Sequence, residues 1–219
     1  MTISTSPFGN LPAFIAGISG LWAVGILTLA AQGAFDVPPD QPALPTLATI
    51  LTPVAAFLVA TRLMPSLRRL VLSLDPVLLT EMQAWRILGG VFIVVYLFGH
   101  LPGAFAWPAG LGDVAVGIAA PFVAWRLRRE PRFLLGRRYR TFLFFGLADF
   151  VVAVSIGLLS RGEIAAFSTP VSSAAMGQMP LVLIPTLIVP AFIILHLIVL
   201  MQIVNASAEP SLETEIPHA

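Results

Sequence analysis

Four side chains able to hold or pass a proton, His100, Asp113, Asp149 and His196, stand inside otherwise apolar stretches of a 219-residue chain. An imidazole facing a carboxylate is a proton-exchanging couple, because each group changes charge under the influence of the other. Within a bilayer such residues are expensive: a charge near the centre costs at least about 2.5–3.5 kcal/mol, so they mark a functional site or a paired one. Whether these four can meet depends on the elements that carry them.

Composition fixes the solvent. The chain is 58% hydrophobic and only 11% charged, whereas soluble domains carry about 25% charged residues. No single core of this size can hide so much apolar surface, and the bilayer is the medium that accepts it. The expected fold is all-α, a polytopic bundle of six transmembrane helices with both termini inside. Six stretches reach the roughly 20 residues that a hydrocarbon core of about 30 Å demands: 11–32, 43–64, 85–102, 108–127, 141–160 and 179–203. They form one domain, 1–204, followed by a disordered acidic cytoplasmic tail, 205–219. The first stretch lacks a basic n-region and is longer than a signal-peptide core, so it is expected to stay as a helix. Residues 65–84 read as a polar linker with room for a short surface helix.

Orientation comes from arginine. All twelve basic residues are Arg. With the N-terminus inside, eleven fall on the cytoplasmic side, Arg86 among them, and only Arg161 falls outside. That asymmetry predicts a bacterial-type inner (plasma) membrane protein with both ends cytoplasmic.

Topology then supplies depth. At about 1.5 Å per residue, His100 near the end of the third stretch and Asp113 near the start of the fourth share an outer level. Asp149 and His196 share a level roughly 12 Å from the inner boundary. Two Asp–His pairs are thus expected, at two depths, with Tyr96 between the levels on the same helix face as His100. The bland alternative is that each residue hydrogen-bonds a neighbouring helix and fixes packing.

Around Asp113 the pattern Leu101-Pro-Gly103 to Trp107-Pro-Ala-Gly110-Leu-Gly112-Asp113 is dense in Gly and Pro. Gly110 and Gly112 permit close approach of a helix or a ligand, and Asp113 also suits a helix start. Arg86 reads as an interfacial anchor reaching headgroups, with Glu81 as a neighbour to pair with.

Other chemistries find little support. The chain has no Cys, which removes thiolate chemistry. No metal site is expected, since no span carries H-E-x-x-H or E-x-x-H spacing. A b-type haem between His100 and His196 is disfavoured, because they differ by roughly 10 Å in depth, and no cofactor is expected. Short matches such as Leu44-Pro-Thr-Leu47 with Ile184-Pro-Thr-Leu187 are too brief to define a repeat.

The favoured expectation is a small transporter or permease-like protein with a protonatable Asp/His path. A non-catalytic membrane subunit or scaffold comes second, and a membrane-embedded enzyme or redox subunit acting on a lipidic substrate third; catalytic residues are not assigned. Expected partners are the lipid bilayer and either a second copy or a membrane protein, with no nucleic acid.

Overall fold

The computed structural model describes residues 8–39, 41–162 and 170–208. No strand occurs among them. Six helices are long and apolar enough to cross a membrane. They are α1 (Leu11–Ala31), α2 (Leu44–Leu63), a composite rod Pro76–Leu97, α6 (Gly103–Arg129), α7 (Arg137–Leu159) and Ile184–Ala208. The rod consists of α4 (Pro76–Met82), a 3₁₀ stretch Gln83–Gly90 and α5 (Val91–Leu97). The sixth begins with a wide π turn, Ile184–Ile188, and continues as α8 (Val189–Ala208). A short α3 (Pro65–Leu72) occupies the linker expected to hold a surface helix. Residues 205–208 extend α8; the rest of the expected tail, 209–219, lies outside the described residues, as does 163–169.

The third, fourth and sixth spans differ from the expected stretches by five residues or more at an end; the sixth runs Ile184–Ala208 rather than 179–203, and the other two have local causes. The third span starts at residue 76, not 85. Asp75 caps it, its Oδ1 accepting from Val77 N at 2.8 Å, and Pro76 takes the first helical position, where its missing N–H costs nothing. The span ends at Leu97 because Gly99, with φ of 78°, closes it. Gly99 N–H bonds Tyr96 O and His100 N–H bonds Val95 O, which is the paired hydrogen bonding of a glycine-terminated helix. The fourth span starts at Gly103 rather than 108. Pro108 is the sixth residue of that helix and is accommodated inside it, as prolines in membrane helices commonly are.

Contacts divide the chain into two units. One comprises Met1–Ser73 and Leu158–Ala191. Its core gathers Ile26, Ala30, Phe35 and Val182, with Trp22, Leu183 and Leu187 packed against them. Here Arg161, expected as the single outer-side arginine, is buried and donates to the carbonyls of Val37 and Pro38 at 2.9 and 3.0 Å. Gly177 is bare because a side chain there would strike the Phe35 carbonyl.

The other unit comprises Leu74–Gly157 and Phe192–Ala219. The Pro76–Leu97 rod and α6 pack along their lengths. Small residues make this possible: Ala106, Ala109, Gly110, Gly117, Ala120 and Ala124 form a buried face of α6. Tyr139 at the start of α7 meets Thr80 of α4 at 2.6 Å. Thr80 already donates to Pro76 O, so the tyrosine hydroxyl is the donor in that contact.

Candidate functional site

The polar centre of the second unit is built on Arg86. Its 3₁₀ setting decides which way it faces. At three residues per turn, positions i and i+3 eclipse, so Gln83, Arg86 and Gly89 line one buried face, continued by buried Phe92. Arg86 is the eleventh residue of the 22-residue rod and is 2% exposed. It is therefore not the interfacial anchor expected of it, and Glu81 pairs instead with Arg128, at 2.6 Å.

Arg86 binds three acceptors on two other helices. Nε donates to Asp113 Oδ1 of α6 at 2.8 Å, Nη1 donates to the Gly146 carbonyl of α7 at 3.0 Å, and Nη2 donates to Asp149 Oδ2 of α7. The guanidinium also lies over the Phe150 ring, 3.9 Å from its centroid, a cation–π arrangement. Asp113 is the eleventh residue of α6 and Asp149 the thirteenth of the 23 in α7. All three charges thus stand in the middle of their helices.

His196, the thirteenth of 25 residues in the last span, is 1% exposed. Its Nδ1 lies 3.0 Å from Phe192 O, and a carbonyl can only accept, so Nδ1 carries the proton. In the neutral ring Nε2 is then a bare acceptor, and among the described residues it has no hydrogen-bond partner. The ring stacks on Phe142 and meets Phe150 edge-on.

Three glycines make room for these groups. A methyl group at Gly89 would overlap the Asp113 carboxylate, one at Gly112 the Asp149 carboxylate, and one at Gly146 the His196 Nε2. The Gly146 position also faces Arg86 Nη1, so the imidazole and the guanidinium flank the same backbone.

The sequence-derived pairings are thereby revised. Asp113 is partnered by Arg86, not by His100; His100 is exposed in the turn after α5, and Asp113 lies three helical turns inside α6 rather than at its start. Asp149 bonds Arg86 instead of His196, although the His196 ring packs against the same Gly146–Phe150 turn of α7 that carries Asp149. Tyr96 stands apart from the cluster, packed against Gly103 and edge-on to Trp107 at 6.0 Å. Gly112 serves Asp149, while Gly110 admits Ile93 of α5. Gln83, Gly89, Gly146, Phe142 and Phe150 were not anticipated. The recurrence Gln83, Arg86, Gly89, Phe92 at period three was the available signal for the first two. Among the described residues no three of His, Cys, Asp and Glu gather as a metal site.

Residues 43–204 match a family described as a domain of unknown function, DUF8737. The chain belongs to that family. The matched segment contains Arg86, Asp113, Asp149 and His196, so the DUF8737 region carries the complete cluster and leaves α1 outside it. No curated protein and no solved structure matches the chain.

Proposed function

We propose that this DUF8737 protein is a polytopic inner-membrane protein with both termini cytoplasmic, and that it is a small proton-coupled transporter working through the Arg86 cluster. The topology is supported by the arginines: with Arg86 inside the bundle, ten of the other eleven lie in or beside the connections after α2 and after α6, which alternate crossing puts on the cytoplasmic side.

One observation carries the functional reading. A single buried guanidinium is held by two carboxylates, Asp149 buried and Asp113 with its side chain 13% exposed. With both ionised the group bears a net negative charge at mid-helix, which a low-dielectric interior disfavours strongly. One proton shared between Asp113 and Asp149 makes the group neutral. The cluster is thus a one-proton site, and the Nε2 of His196, on α8 beside Gly146, is an acceptor through which that proton can be passed.

The test is proton movement in proteoliposomes under an imposed pH gradient, followed with a trapped pH dye. Wild-type vesicles should exceed protein-free ones. Asp149→Asn should reduce the rate on the order of a hundredfold, and Asp113→Asn similarly, while both variants remain folded in detergent. Equal rates in wild type and Asn variants would remove the proposal. Asn variants that lose stability, in a protein whose wild type moves no protons, would make the cluster a packing lock.

A further inference from the structure

A second polar feature of the same unit lies at the opposite extreme of exposure. Seven arginines fall within residues 126–140, around the tight turn Pro131–Leu135 that joins α6 to α7. Two of them meet carboxylates: Arg126 approaches Glu130 at 3.6 Å and Arg128 bonds Glu81. Two are also laid on aromatic rings, Arg126 over Phe133 at 4.7 Å and Arg129 over Trp125 at 4.2 Å. The first turn of α7 contains Arg137, Arg138 and Arg140 and no acidic residue. With Arg132, these are exposed.

We propose that Arg132, Arg137, Arg138 and Arg140 form a docking surface for the headgroups of anionic phospholipids. This rests on the reading that α6 and α7 cross a membrane. Charge complementarity calls for an anion, and the side-chain type narrows it. Every cation here is a guanidinium, whose planar fork binds phosphate oxygens in pairs. Position narrows it further. Directly inward from the arginines, Phe122 and Trp125 on α6 and Phe144 and Phe145 on α7 are exposed large hydrophobics. The cations therefore rim an apolar belt, where a lipid phosphate stands above its own acyl chains. A soluble polyanion would have no use for that belt.

The experiment compares thermal unfolding and native-mass-spectrometry lipid retention of the purified full chain. The detergent is supplemented with phosphatidylglycerol, with phosphatidylcholine or with inorganic phosphate alone. Phosphatidylglycerol should be retained and should raise the unfolding temperature above that in phosphatidylcholine. Retention should weaken about fivefold for each arginine changed to glutamine. Single variants and a fourfold Arg→Lys variant guard against misfolding, the latter keeping charge while losing the fork and retaining part of the binding. Equal behaviour in the two lipids would overturn the proposal. Stabilisation by phosphate equal to that by phosphatidylglycerol would replace the lipid with a free anion. A chain that needs no detergent would overturn the membrane reading itself.

Discussion

Arg86→Gln is expected to lower the unfolding free energy of the detergent-solubilised protein by about 3–5 kcal/mol, the cost of breaking a buried ion pair by removing one partner. The magnitude follows from what is left behind. Buried Asp149 and largely covered Asp113 would keep their mid-helix positions without the guanidinium that both of them bind, and the Gly146 carbonyl would lose its side-chain donor. Phe150 would lose the cation stacked on it. Arg86→Lys should recover only part of the loss, because an ammonium cannot present the fork that reaches acceptors on two helices. Unfolding in mixed micelles against a graded denaturing detergent reads both. A loss below about 1 kcal/mol, typical of a surface pair, would return Arg86 to the membrane interface.

Gly117→Ala should be the most damaging glycine substitution along the contact of α6 with the rod, at about 1–3 kcal/mol or more. The added methyl would strike the backbone of Ile87, with Ile87 Cα at 2.9 Å. Backbone cannot rotate away as a side chain can, so α6 and the 3₁₀ stretch would have to separate, and Arg86 is the residue next to the contact. Gly90→Ala meets only Val114 Cγ2 at 3.3 Å and should cost less. Gly20→Ala has nothing within 4 Å and should be neutral. The same unfolding assay ranks the three, and equal midpoints for the Gly117 and Gly20 variants would contradict the close approach of α6 to the rod.

These two residues also show what the sequence could and could not reveal. Six apolar runs are a composition signal, and each of the six helices overlaps a stretch read from it, five of them to within five residues at either end. The third is the exception, because Glu81, Gln83 and Arg86 dilute the hydropathy of its first half. A lone arginine beside Trp85 at the edge of an apolar run looks like a headgroup anchor. Its partners lie 27 and 63 residues away, and no local spacing announces an ion pair closed by tertiary packing. Depth arithmetic did bring Asp149 and His196 to neighbouring levels, since it depends only on helix rise. It failed for His100 and Asp113, where everything hung on the ends of two helices. Gly99 and Pro102 following an apolar run carried the terminating signal for the first helix. The second was obscured by Pro108, which resembles a loop residue until a bundle surrounds it.

Arg86, Asp113 and Asp149 are expected to act as one unit. A double-mutant cycle with Arg86→Gln and Asp149→Asn, read by unfolding free energy in detergent, tests it most directly. The cluster predicts strong non-additivity, with a coupling of about 2 kcal/mol, because removing the carboxylate relieves much of the damage left by removing the guanidinium. Costs that simply add would show that the two side chains do not meet, and the one-proton site would go with them.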